Sequence, residues 1–310
     1  MTPKISGPVA HAAALLRAGR LVAIPTETVY GLAANALDES AVQRIFAAKG
    51  RPFSSPLIVH VADMAMARGL AREWPPQAEA LAARFWPGPL TIIVPKSAQV
   101  PDIVTAGLPS VALRMPAHPL ALAVIEAARV PLAAPSANRF TQLSPTTAQH
   151  VREGLRGNAV DFVLDGGPCT IGIESTVISL TGPVPRILRP GMISKTQIED
   201  VIGPVESGVG EESPGQHPKH YSPRTRVVIG DSPREGRGAR LDSANMPPEA
   251  AAYAERLYGT LHKLDEQGYD WIAIELPPGT PEWAGVRDRI IRAAHVGQDG
   301  ILPESRRDSS

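Results

Sequence analysis

At 310 residues the chain exceeds the usual single domain, which predicts one large and one small domain with ample length for a core. Its 31 basic and 31 acidic side chains cancel, excluding a global field that would draw it onto nucleic acid or an anionic membrane, so any basic site is local. The single cysteine, Cys169, excludes an internal disulfide framework and suits a reducing cytosol. No apolar run reaches the roughly 18 residues that cross a bilayer, and the N-terminus has no signal-peptide core, so a soluble cytoplasmic protein is expected.

Residues 8–18 carry apolar positions at helical spacing and stop at Gly19, and LVAI at 21–24 follows as a buried strand. The stretch IPTETVYGLA, 24–33, then reads as a loop leaving that strand, where α/β proteins place ligand contacts; a turn with an N-cap explains it equally well. Asp38 caps a helix over ESAVQRIFAAK that ends at Gly50, and PLIVHV at 56–61 is the next strand. Strands at 90–94, 110–114, 161–165 and 175–180 interleave with helices at about 76–85, 117–128, 145–155 and 194–202. Interleaving predicts an α/β sheet covered by helices, and uneven, short connections predict mixed strand pairing. From about 203, GPVESGVGEESPGQHPKHYSP reads as a linker. RVVIG, a helix over about 249–267, WIAIEL and a helix over about 282–294 then make a smaller α/β unit. The polar stretch 231–249 inside it reads as loop. The expected division is 1–205, a linker or lid at 206–224, and 225–310.

Neither common glycine-rich phosphate cradle occurs, so a phosphate would be held by side chains and helix ends. Lys49 and Arg51 flank Gly50 where a helix gives way to loop; they read either as an anion grip or as a basic last turn complementing the helix dipole. Arg114 and Arg189 end apolar strands, and a buried arginine needs an anion, of which a ligand carboxylate is one. Ser136, Asn138 and Ser144 after PLAAP, and Ser175 and Thr176 in GIESTVISL, read singly as turn and cap chemistry and together as a polar cluster. His60 reads as a core or sheet-edge histidine as readily as a functional one.

PTETVYGLAANA, KGRPFSSPLIVHV, FWPGPLTIIV, VALRMPAHP, APSAN, SPT, GIESTVI and ILRPG, in this order, resemble the YrdC-like domain of the L-threonylcarbamoyladenylate synthase family over about residues 8–202. SPGQHPKHYSP is similar to the linker of its long form, and the tail to its C-terminal domain. The resemblance implies a twisted, open, mixed sheet with a concave cleft, plus a small Rossmann-like domain. It implies an enzyme that turns L-threonine, bicarbonate and ATP, with Mg²⁺ carried on the ATP, into threonylcarbamoyl-AMP and pyrophosphate. A tRNA threonylcarbamoyl transferase complex would then use that product on the adenosine beside the anticodon. Thr28, His60, Arg114, Ala134 and Ser175 would contact L-threonine, and Arg51, Ser55, Ser110, Ser136, Ser144, Arg189 and Tyr221 would contact ATP. Lys49 and Arg51 would take phosphate charge, Asn138 would complete the signature with Ser136, and Tyr221 would belong to a lid over 213–223. No resident metal or tightly bound cofactor is expected. Two departures stand out: Phe140 and Thr141 replace a usual Ser-Gly pair, and the C-terminal domain is short. The rivals are a module holding double-stranded RNA, which zero net charge disfavours, so any RNA binding would be weak, and a relative that adenylates carbamoyl phosphate.

Overall fold

The computed structural model of the chain describes residues 7–157, 160–208, 210, 212 and 221–294. Helix α1 (Pro8–Arg17) starts on a proline and buries Ala12, Ala13 and Leu16. The strand after it, β1 (Val22–Ile24), does not leave the sheet through an open loop. It turns back as β2 (Gly31–Asn35), antiparallel, with Ile24 opposite Gly31, so residues 25–30 are the bend of a hairpin. Helix α2 (Glu39–Lys49) begins where the Asp38 carboxylate accepts from the N–H of Ser40 and Ala41, and ends where Gly50 takes a φ of 62°.

The chain continues through β3 (Ile58–His60), α3 (Met64–Leu70), α4 (Pro76–Phe85), β4 (Leu90–Pro95) and α5 (Asp102–Thr105). Next come β5 (Ser110–Arg114), α6 (Pro119–Ala128), β6 (Leu132–Ala133), α7 (Ala148–Gly154) and β7 (Phe162–Val163). Then follow β8 (Thr176–Ser179), β9 (Arg186–Arg189), α8 (Lys195–Ile202) and β10 (Glu206–Ser207). These strands form one sheet in the order β10-β9-β8-β4-β5-β3-β6-β2-β1-β7, with parallel and antiparallel pairs mixed. Helices α3 and α5 and strand β6 are not among the elements expected from the sequence, and β10 carries the sheet just past 205.

Alternate strand residues enter different layers. Ala23 packs with Phe46 and Leu81 on one face, while Val22 and Ile24 pack on the other with Leu16 of α1 and Val124 of α6. Burial on both faces explains the continuous apolar runs. Past β6 the second face loses its helices and carries a small cluster of Ile58, Ile93, Ala112, Val177 and Leu188. There the cleft opens.

The small unit has β11 (Arg226–Ile229), β12 (Gly238–Leu241), α9 (Ala250–Glu266), β13 (Trp271–Ile274) and α10 (Ala284–Ala294), with a 3₁₀ turn at Pro281–Trp283. Its sheet is parallel, in the order β11-β13-β12. β12 falls inside 231–249, correcting the reading of that stretch as loop. The two units share one apolar cluster: Val29, Leu143 and Ile173 pack with Tyr253, Leu257 and Tyr258. At the seam the backbones nearly touch, since a Cβ on Gly285 would lie 2.7 Å from the Gly191 oxygen. Only glycine fits there.

Candidate active site

The period of two along β3 and β5 puts Ile58, His60, Ala112 and Arg114 on the uncovered face, with His60 paired to Arg114 in parallel register. Around His60 and Arg114 lies a cleft with about 540 Å³ of empty space, its open mouth included. Of the residues picked from sequence, it is lined by Thr28, His60, Arg114, Ala134 and Ser175, and also by Arg51, Ser136, Arg189 and Tyr221.

The hairpin bend supplies one corner. The Thr26 hydroxyl donates to the Val29 oxygen at 2.6 Å and accepts from the N–H of Thr28 and Val29, which fixes the bend. Gly31 lets the hairpin approach residue 134, because an added Cβ would meet that of Ala134 at 3.1 Å. Arg114 then reaches across: Nη1 donates to Thr28 Oγ1 at 2.9 Å, Nη2 to Glu27 Oε1 at 2.6 Å and Nε to the Gly88 oxygen at 3.2 Å. The anion this arginine requires is therefore Glu27, which sequence reasoning passed over. Of the guanidinium's five N–H groups, one on each terminal nitrogen is left by these bonds. His60 is buried and neutral, pushed down to about 3 by burial and then by the Arg114 charge, and its Nδ1 has no hydrogen-bond partner among the described residues.

Two more buried arginines face the same space. Arg51 donates from Nη2 to Ser55 Oγ at 2.5 Å and to the Pro56 oxygen at 3.0 Å, and sits 5.6 Å from the centre of the Phe140 ring. Burial, with Arg189 adding to it, pushes Arg51 down to about 10, and no carboxylate pairs with it among the described residues. Arg189 donates from Nε to the Ser175 oxygen at 3.0 Å and from Nη2 to Ser175 Oγ at 3.1 Å. Like charges held together in low dielectric favour an anionic ligand. The cleft's own carboxylate, Glu174, is satisfied from behind by Arg289, Tyr258 and Ser144. Glu27 and Glu174 both lie inside stretches quoted from the sequence, yet nothing in their spacing marks the arginine that each one meets.

Five expected residues lie off the cleft wall. Lys49 is buried, and its ammonium donates to the main-chain oxygens of Ser136 and Asn138, which ties down the Ser136–Asn138 turn. The Asn138 amide holds the same loop through the oxygens of Arg139 and Gln142. Ser144 donates to Glu174, and Ser55 accepts from Arg51. Ser110 donates to Glu212 of the linker, whose carboxylate also takes the Ser179 and Thr181 hydroxyls. Where Phe140 and Thr141 replace the usual Ser-Gly pair, Thr141 takes a φ of 70°, in the left-handed region that favours glycine. Most of the expected lid, 213–220, lies outside the described residues, while Tyr221, 1 % exposed, is already in the wall.

Among the described residues no group of three or more His, Cys, Asp or Glu side chains could hold a metal ion, and no helix is long and apolar enough to cross a membrane.

The sequence family described as "Telomere recombination" matches residues 14–191, and "Threonylcarbamoyl-AMP synthase, C-terminal domain" matches residues 193–295. The threonylcarbamoyl-AMP synthase of Pyrococcus abyssi is 50% identical over 232 residues, which are 72% of this chain and 68% of that protein. That of Bacillus subtilis is 42% identical over 321 residues, covering 92% of each. The crystal structure of P. abyssi Sua5 complexed with L-threonine superposes with a TM-score of 0.88 at 40% identity, over 92% of this chain and 94% of that one.

Proposed function

Since the chain belongs to the threonylcarbamoyl-AMP synthase family, we propose that this cleft is where it joins L-threonine, bicarbonate and ATP into threonylcarbamoyl-AMP. The enzyme is an ATP-using transferase, and its product serves threonylcarbamoylation of tRNA. That product is a mixed anhydride of a carbamate and AMP. Loss of pyrophosphate means that a carbamate oxygen attacks the α-phosphorus, after the threonine amine has added to the carbon of bicarbonate with loss of water. Neither step needs a protein nucleophile. Holding three reactants together and neutralising the triphosphate supply most of what catalysis requires.

The observation that carries this reading is the meeting of Arg51, Arg114, Arg189 and neutral His60 in one cleft. L-Threonine takes the corner of Thr28, His60, Arg114 and Ala134, its carboxylate on the two remaining Arg114 N–H groups. His60 at about 3 is too weak a base to take a proton from the amine, so its part is to help shape the threonine corner. Arg51 and Arg189 take the phosphates, with Ser136 and Ser175 beside them. Mg²⁺ carried on the nucleotide would add positive charge to the phosphates that Arg51 and Arg189 hold. Lys49 acts through the Ser136–Asn138 turn, and a tRNA-modifying transferase takes up the product. Pyrophosphate release by the full chain, measured with L-threonine and bicarbonate each omitted in turn, tests the reading. Release should need both and yield threonylcarbamoyl-AMP by mass; release that ignores threonine would overturn it.

A further inference from the structure

Arg289 belongs to α10 of the small unit, yet it is completely buried against the cleft's rear wall. Its Nε donates to Glu174 Oε2 at 2.6 Å, and Nη2 to the Glu174 main-chain oxygen at 3.1 Å. Nη1 donates to the Pro190 oxygen at 2.9 Å and to Asp288 Oδ2 at 2.7 Å. The guanidinium carbon stands 5.1 Å from the centre of the Tyr221 ring. Glu174 precedes Ser175, Pro190 follows Arg189, and Tyr221 is itself in the wall. One guanidinium thus touches all three segments that carry Ser175, Arg189 and Tyr221.

From this contact we infer that Arg289 is a positioning residue for the synthesis: it sets the spacing of Ser175, Arg189 and Tyr221 and so shapes the nucleotide side of the cleft. The inference rests on the proposed use of that cleft. A planar fork holds several acceptors at fixed angles, which a lysine ammonium on a flexible stem does not do. Tyr258 and Ser144 hold the two Glu174 oxygens from other directions, leaving the carboxylate little freedom to follow a displaced partner. Burial works against ionised Glu174, but Arg289 and then Arg189 outweigh it and keep the carboxyl below the usual range. The small unit therefore shapes the active site from behind, although none of its described residues lines the cleft.

The test uses the full chain and its Arg289→Lys, Arg289→Met, Glu174→Gln and Arg289→Met/Glu174→Gln variants. Thermal unfolding, ATP binding by calorimetry, and kcat and KM are measured for each. Arg289→Lys should keep the fold while KM for ATP rises about tenfold, the scale of a displaced binding group. The double variant should regain the thermal stability that Arg289→Met loses, because no lone charge stays buried, yet bind ATP more weakly than Glu174→Gln alone. Arg289→Lys binding ATP within twofold of the native chain, or the double variant matching Glu174→Gln, would reduce Arg289 to a counter-charge and overturn the inference. Should Arg289→Met fail to fold, the lysine and double variants still decide. A native chain that binds no ATP would instead sink the proposed function.

Discussion

Lys49 donates its ammonium proton to the main-chain oxygen of Ser136 at 2.5 Å, and so joins the end of α2 to the turn that carries the cleft's serine. From sequence alone, removing a cation at a helix end should spare the fold. The burial of Lys49 reverses that expectation. Lys49→Ala should abolish synthesis and also cost about 2–3 kcal/mol, since the two hydrogen bonds to the Ser136 and Asn138 oxygens are lost and the latter stays buried. Chemical denaturation alongside the pyrophosphate assay checks both halves; an inactive variant of native stability would return Lys49 to direct phosphate binding.

Arg114→Lys should raise KM for L-threonine about tenfold and leave KM for ATP nearly unchanged, because an ammonium replaces a fork with a point. It should also lower stability, for the Glu27, Thr28 and Gly88 bonds cannot all be kept. Equal damage to both KM values would argue against a threonine corner.

A chain ending at residue 205 should not behave as an independent domain. It would bare Val29, Leu143 and Ile173 and strip Glu174 of Arg289 and Tyr258. Light scattering and thermal unfolding should show an aggregating, destabilised fragment; native-like melting would contradict this, and would revive the simpler picture of a folded domain that merely wastes ATP.

Acid should loosen the fold through His60. Its folded pKa, about 3, lies below the ordinary value of 6.5, so between the two the unfolded chain binds the extra proton. Stability is full above that window and falls as pH drops through it, by about 2 kcal/mol at pH 5. His150, pushed down to about 4 by burial and by its stacked neighbour His262, adds in the same direction. His60→Gln should lose less stability than the native chain between pH 7 and pH 5. An unchanged loss would mean that other groups govern acid unfolding.

Thr141→Gly should stabilise the chain modestly. A left-handed φ costs a residue with a Cβ about 1–2 kcal/mol, and the greater unfolded freedom of glycine takes back about 0.5–1. A net gain near 0.5–1 kcal/mol, read by denaturant titration, is expected; a loss would show that the Thr141 side chain makes contacts worth more than its strain.

Local signals carried far in this chain. Asp38 and Gly50 bound α2 as cap chemistry predicts, and the apolar runs marked β4, β5 and β8 because nearly every residue in them is buried. β6, only Leu132–Ala133, and the polar β12 are strands by virtue of their neighbours and have no period of their own. Family motifs picked out nine cleft-lining side chains but not what holds them. The partners of Arg114 and Glu174 come from 87 and 115 residues away, and no repeat or spacing in a single sequence encodes such distances.

Gly285 and Gly191 meet main chain to main chain, so their seam has no side chain to give way. A single methyl group there would act as a wedge, levering α10 and the guanidinium it carries away from Glu174 while leaving every charge and donor in place. Two hydrogen atoms thus calibrate the width of a cleft that neither glycine lines.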